Sequence, residues 1–361
     1  MNIIFFTSSH KMGITGQLTE HALAFAKGGQ GNFTFVSGEK EQFPGLHQRM
    51  KEAEVSSVAI RGMDDHADFG RLAREFAQVI STTRPDYVTV QTNWQLAVTV
   101  AARFLSGIRF KILYVVHGYR HNFRFRSVVA RAVMGVALHL FADHVITPSS
   151  FLKEKFRFLG EKIKVIFIGE DEALFADHPL PEFGGTKRLV FPAEFRTGKN
   201  QEMVIRALKG YIDRTGDQDV ELYLPGKGEL VASCQELCRT LGLQDKVHFP
   251  GFVTRPEVAE LYLSSQFALV ASNVETFGHC VVEPFILGRV LLTRHVGVAD
   301  DIIREGENGF FFDNEQDLME LLVKVLPDHA LCRRVAANTR LERDRFRWDP
   351  ICRQHFELIF T

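Results

Sequence analysis

The sequence lacks the features that assign a function most quickly. Its five cysteines are an odd number without a regular framework, which argues against a disulfide scaffold and for a reducing compartment. Cys234 and Cys238 stand in a helical pattern without a second pair, so they do not read as a zinc site. No apolar run reaches the roughly 18 residues of a membrane span. The opening "MNIIFFTSSHKMG" has no basic stretch before its apolar run and reads as a first buried strand, not a signal peptide. A net charge of -1 offers no surplus for a general nucleic-acid surface, and no such partner is expected. Glycine fingerprints are incomplete as well. Gly13 with Gly16, and Gly226 with Gly228, complete neither G-x-G-x-x-G nor G-x-x-x-x-G-K-[ST], which disfavours a dehydrogenase or a P-loop enzyme.

What is present is a soluble, globular pattern of 361 residues, too long for one ordinary core and suited to two domains. Short apolar runs such as "NIIFFTS", "NFTFVSG", "DYVTVQT" and "KILYVVHG" alternate with amphipathic helical stretches. Continuous apolar strands separated by helices predict parallel sheets covered on both faces. The first series ends near "KVIFIGEDEALF", and "HPLPEFGGTK", with two prolines and two glycines, is the most linker-like stretch. A second series starts at "RLVFPAEF". The fold class expected is therefore α/β with two doubly wound, Rossmann-like domains facing a cleft. The boundaries are residues 1–177, a linker at 178–187, residues 188–345, and a C-terminal helix at 346–361 crossing back to the first domain. Ligands of such sheets sit beyond the carboxyl ends of the strands.

Three strand ends carry chemistry. "FPAEFRTGKN" places Arg196 and Lys199 before a helix start at Asn200, and two cations beside a helix N-terminus suit a diphosphate, although a solvated loop has the same composition. "VVHGYRHN" puts His117 directly after a strand, where it is either a ligand contact or a structural histidine. "NVETFGHCVVEP" puts Glu275 in a turn and Glu283 in the first turns of the next helix, with Gly278, His279 and Cys280 at its N-terminus. The pair either faces a ligand or merely complements the helix dipole.

These segments, in this order, resemble the retaining glycosyltransferases of the large GT-B family called family 4. The pattern E-x-F-G-x-x-x-x-E is met by Glu275, Phe277, Gly278 and Glu283. The donor loop G-R-L-x-x-x-K-N is similar to the stretch from Ala193 to Lys199 and Asn200, with Glu194 in the arginine position. "VGVADDIIREGENGFFF" is similar to a further family segment, retaining Gly297, Gly306, Asn308 and Gly309 but with Val298 in place of a second glycine.

The resemblance implies roles. Lys199, with Arg196 as partner, would neutralise the diphosphate of a nucleotide-sugar. Glu275 would hold hydroxyls of the sugar, and Glu283 those of the ribose. His117 would sit at the reacting sugar, and Phe277, Gly278, His279 and the Gly13 to Gly16 loop would line the donor. The implied reaction is retaining transfer of a sugar to a saccharide or lipid-linked saccharide acceptor, in cell-surface polysaccharide or lipopolysaccharide synthesis. No cofactor and no metal are assigned, since two side-chain cations serve the leaving group. A nucleotide-sugar epimerase and a non-catalytic sugar-binding scaffold are the alternatives.

One further absence concerns the acceptor. Between Asp86 and Asp143 there is no Asp or Glu, while Arg120, Arg124, Arg126 and Arg131 fall there, interleaved with aromatics in "YRHNFRFR". This reads as a basic, partly apolar surface for an anionic acceptor or membrane face, or as a buried helix behind a solvated loop. The expected location is cytoplasmic, peripheral on the inner face of a membrane.

Overall fold

The computed structural model describes residues 1–7, 22–23, 26, 31–38, 46–61, 68–117 and 125–360. Two compact units divide the chain: Met1–Gly169 with Trp348–Thr361, and Glu170–Arg347.

In the first unit seven strands form one parallel sheet. They are β1 (Asn2–Phe6), β2 (Asn32–Gly38), β3 (Ser56–Ile60), β4 (Tyr87–Val90), β5 (Lys111–Val115), β6 (His144–Thr147) and β7 (Ile163–Val165), in the order β3-β2-β1-β4-β5-β6-β7. The described helices are α1 (Leu46–Glu52), α2 (Phe69–Thr83), α3 (Asn93–Ser106), α4 (Phe125–Phe141) and α5 (Ser150–Lys155). The run "NIIFF" is apolar throughout because both faces of β1 are covered: Ile4 and Phe6 join the core of Leu72 and Phe76, while Ile3 and Phe5 join Phe33 and Phe35 on the other face.

The second unit holds β8 (Lys187–Val190), β9 (Val220–Tyr223), β10 (Val247–His248), β11 (Phe267–Val270), β12 (Val290–Thr293) and β13 (Phe310–Phe311), all parallel, in the order β10-β9-β8-β11-β12-β13. Its helices are α6 (Gln201–Thr215), α7 (Val231–Thr240), α8 (Arg255–Leu263), α9 (His279–Ile286), α10 (Ala299–Ile302), α11 (Glu315–Val325) and α12 (His329–Glu342). The last helix, α13 (Trp348–Phe360), returns to the first unit, where Ile351, Phe356 and Ile359 enter the core of Ile3 and Phe5. The Tyr87 hydroxyl donates to the Ile359 carbonyl at 2.8 Å.

The expected linker is corrected by the structure. Residues 178–187 belong to the second unit, and the chain enters that unit at Glu170. Phe183 is buried in the core beside Phe267, and the Pro179 carbonyl accepts from Arg289. Two prolines and two glycines make this segment irregular without making it loose, because its side chains and carbonyls are used by the core. Arg289 is only 1% exposed, and it also donates to the carbonyls of Leu263, Ser265 and Leu287.

Replacing Arg289 by Met strips buried carbonyls of their donors and lowers the unfolding free energy of the second unit by about 3 kcal/mol. Urea unfolding checks this, and a loss below about 1 kcal/mol means that water reaches those carbonyls instead.

Candidate active site

The loops beyond the carboxyl ends of β8, β11 and β12 are laced together. The Asn273 amide donates to the Gly198 carbonyl at 2.8 Å. Asn200 Nδ2 donates to the Ala271 carbonyl and to Asn273 Oδ1, each at 2.7 Å, and Arg294 donates to that same Oδ1. Asn200, at φ 60°, turns the chain into α6 in a conformation that asparagine tolerates better than most residues. This lacing brings Lys199 Nζ to Glu275 Oε1 at 2.5 Å, with side chains only 12% and 18% exposed. A cation and a carboxylate from distant loops thus form one partly buried pair. Arg196 does not join it. Its Nε donates to Glu194 Oε2 at 2.9 Å, and both side chains are exposed.

Beyond Glu275 the chain drops Phe277 into the core and enters α9 through Gly278, the N-cap, at φ 92°. The next loop passes directly underneath. A Cβ on Gly297 would lie 2.1 Å from the Phe277 carbonyl oxygen, while the Val298 amide donates to that oxygen at 2.8 Å. Asn308, in the similar "GENG" stretch, is a structural residue here. It is fully buried, accepts from the Arg304 amide at 2.7 Å and donates to the Ile302 carbonyl at 3.0 Å.

Glu283 lies within a second charged group. Arg255 Nη2 stands 3.2 Å from Glu283 Oε1 and 3.4 Å from Glu170 Oε2. His279 Nδ1 is hydrogen-bonded to Glu170 Oε1 at 2.5 Å. The Glu170 side chain is 1% exposed and Glu283 13%, whereas Arg255 is largely open to solvent. Burial, and then the Glu170 charge, push the Glu283 carboxyl up to about 7. Burial opposes the charged form of His279, but Glu170 beside it wins and raises the ring above its ordinary value.

Among the described residues, Glu170, His279 and Glu283 bring donor atoms within 4.8 Å of one another, close enough to share an ion. Their carboxylates already share the Arg255 guanidinium, so the set is an ion network carrying its own cation. The sequence has one Asp-x-Asp triplet, Asp217-Gln218-Asp219, which stands at the amino end of β9. There Asp217 pairs with Lys187 at 2.9 Å and Asp219 accepts from Thr186 at 2.6 Å, which commits the triplet to tying strands together.

His117 belongs to the first unit, two residues beyond β5. It lines a mostly apolar pocket with Val116, Pro148, Ile166, Trp348 and His355. Its Nε2 is buried without a hydrogen-bond partner among the described residues, and burial lowers the ring to about 4, so it is neutral. Gly13, Gly16, Arg120 and Arg124 lie outside the described residues. Arg126 and Arg131 fall on α4. Sequence reasoning missed Glu170, Arg255, Asn200 as a lacing residue, and Asn273. The one signal available was a run of three acids, Glu170-Asp171-Glu172, closing a largely apolar stretch.

Two family profiles match the chain in succession: "Glycosyltransferase Family 4" over residues 30–173 and "Glycosyl transferases group 1" over residues 171–342. The chain is a GT-B glycosyltransferase and belongs to the family 4 type. It is 24% identical over 306 residues to N-acetyl-alpha-D-glucosaminyl L-malate synthase of Bacillus anthracis, covering 80% of this chain and 78% of that protein. An uncharacterized glycosyltransferase of Methanocaldococcus jannaschii is 25% identical over 228 residues, and this chain spans 58% of its length. Among solved structures, HepE of Anabaena in complex with UDP superposes with a TM-score of 0.80 at 20% identity, with 100% of both chains covered. The lipopolysaccharide outer core galactosyltransferase WaaB, in its apo form, gives 0.76 at 18% identity, covering 100% of this chain and 99% of that one. At these identities the two structures speak for the fold.

Gly297→Ala forces a Cβ into the Phe277 carbonyl at a positive φ, and costs about 2 kcal/mol or more of stability in the second unit. Thermal unfolding reads this out, and an unchanged midpoint would show that the two loops part readily.

Proposed function

We propose that this glycosyltransferase moves a sugar, with retention of configuration, from a nucleoside-diphosphate sugar to a saccharide or lipid-linked saccharide acceptor. The carrying observation is the half-buried Lys199–Glu275 pair beside the N-terminal end of α9. A lysine ammonium has three donors, so Lys199 can hold Glu275 and a phosphate oxygen together. The dipole of α9 adds positive potential where the leaving group gathers charge. Glu275, fixed by Lys199, accepts hydrogen bonds from the sugar, and Glu283 accepts them from the ribose. His117, neutral, is assigned to the reacting sugar. Arg196, exposed on the same loop as Lys199, is the second cation of the reading.

In the reaction the bond from the anomeric carbon to the diphosphate oxygen breaks. The acceptor oxygen bonds to the same face of that carbon, and the acceptor proton passes to the departing diphosphate. The protein supplies charge stabilisation and grip, which accelerate the step because they are strongest in the transition state. The reading needs no metal. The UDP complex of HepE and the lipopolysaccharide role named for WaaB support a nucleotide donor and a cell-surface saccharide product.

Incubation with a panel of UDP-, GDP- and ADP-sugars, following nucleoside diphosphate release with and without acceptor, tests the class. With the active donor, Lys199→Ala lowers turnover by about 100-fold or more, as expected for a charge aimed at the transition state. Turnover within about threefold of the wild type would remove Lys199 from the mechanism.

The acceptor is assigned to an anionic membrane face, on the cytoplasmic side. No helix among the described residues is long and apolar enough to cross a membrane. On the outside of the first unit, however, Val133, Val136 and Leu140 follow helical spacing on α4 and are each more than half exposed. Phe104 and Leu105, on α3, and Phe158, on the turn Arg157–Lys162, are exposed to the same degree, and α4 packs against both elements. These apolar side chains sit in or beside the stretch without Asp or Glu, where Arg126 and Arg131 also lie on α4. Apolar anchors with basic neighbours suit an anionic bilayer surface. The chain is expected to co-sediment with phosphatidylglycerol vesicles at low salt, and Val136→Asp with Leu140→Asp to reduce binding several-fold. Absence of salt-sensitive binding by the unmodified chain would sink the assignment.

A further inference from the structure

We propose that Glu170 and Arg255 are positioning residues for the nucleotide, which with His279 form an ion network that sets both the orientation and the charge of Glu283. The inference rests on the reading that Glu283 meets the ribose. The geometry is specific. Glu170 is as buried as any core residue, yet it is a carboxylate, and such a group persists only when its oxygens are matched. His279 meets one oxygen and Arg255 the other. Arg255 continues to Glu283, so one guanidinium joins the buried acid to the acid at the site. A carboxylate gripped on one side by a guanidinium keeps its other lone pairs for a ligand in a fixed direction.

The network also fixes when Glu283 is charged. Around it stand Glu170 from the segment entering the unit, His279 and Cys280 on its own helix, Arg255 on α8, and the buried hydroxyl of Tyr262 farther along α8. The Tyr262 hydroxyl and the Cys280 thiol are both pushed up by burial, so they remain protonated and neutral. Charges on the other packed segments are engaged with one another: Arg347 with Glu172 and Asp344, and Arg345 with Glu342. The changing balance is therefore between Glu170, which disfavours the Glu283 anion, and Arg255 with His279, which favour it. Because the Glu283 carboxyl is raised, its acceptor capacity is complete above its pKa and is lost as the pH falls through it.

Equilibrium binding of UDP, GDP and ADP by calorimetry, from about pH 5 to about pH 9, reads this directly. Phosphate ionisation of the nucleotide is common to all variants, so differences between variants report the protein. In the unmodified chain, affinity for the cognate nucleotide falls on the acid side as Glu283 takes up a proton. Glu283→Gln binds weakly throughout and loses that acid limb. Arg255→Gln moves the limb to higher pH by about half a unit or more, and Arg255→Lys restores most of it. Glu170→Gln moves it in the opposite direction, because the like charge is the stronger influence of the two it removes.

If Glu283→Gln is weak while the Arg255 and Glu170 variants leave the limb in place, the network proposal fails and the ribose reading stands. If Glu283→Gln binds as the unmodified chain does, the ribose reading fails and takes the network with it. A uniform loss of affinity in Arg255→Gln, with the limb unmoved, makes Arg255 a direct ligand or a structural residue and also overturns the proposal. Circular dichroism and thermal midpoints check each variant. Should Glu170→Gln not fold, the solvent-open Arg255 pair of variants decides the question alone.

Discussion

The second unit of this protein depends on one constraint: the segment from Gly198 to Asn200 is hydrogen-bonded across to the segment from Ala271 to Asn273. Parallel strands deliver their carboxyl ends to one edge of a sheet, but delivery alone leaves the following loops free of each other. Here two asparagine side chains and a backbone amide lock the loop after β8 to the loop after β11. Only then do Lys199 and Glu275, which come from different loops, meet at hydrogen-bond distance. The residues that do the locking carry no charge and touch no reacting group in the proposed chemistry. Their contribution is preorganisation, which spares the site an ordering cost when the ligand arrives.

Each of the two glutamates in "NVETFGHCVVEP" is matched by a cation, and the two matches differ in kind. Lys199 is a point charge with several donors, so it can serve Glu275 and an incoming anion at once. Arg255 bridges two acids through one guanidinium nitrogen, Nη2, so its charge is shared between them. The first pair suits a place where charge develops during reaction. The second suits a place where a hydroxyl-bearing ring must be held still. The spacing of the glutamates along the chain hides this difference, because it says nothing about the partners that the fold brings to each.

Most of the architecture was legible in the sequence for a simple reason. Strands buried on both faces must be apolar at every position, and helices between them must be apolar on one side, so the alternation is written into the residues themselves. The division of the chain was harder. Prolines and glycines near residue 180 read as a linker, yet Phe183 and the Pro179 carbonyl are built into the second unit. Turn-forming residues describe backbone geometry and not attachment. Within the site, residues adjacent in sequence to a recognisable motif were found, and residues contributed from elsewhere were not. Glu170 lies far from His279 along the chain, and an acid after a glycine has no periodicity to announce it.

The position of Glu170 makes this omission physically informative. It is the first residue of the second unit, and its amide donates to the carbonyl of Phe346, next to the point where the chain leaves that unit again. Nearby, Arg347 binds Glu172 and lies over the ring of Phe175, so the incoming and outgoing segments are tied together more than once. The same residue therefore joins the entering and leaving segments through its backbone, and the start of α9 through its side chain. A serine or valine at this position would keep the backbone bond and lose the carboxylate, leaving His279 and Arg255 without the charge that orders them. Placing an acid there costs desolvation that an apolar residue would avoid, and that cost is offset only if the ordered pair beneath α9 is worth more than a better-packed core.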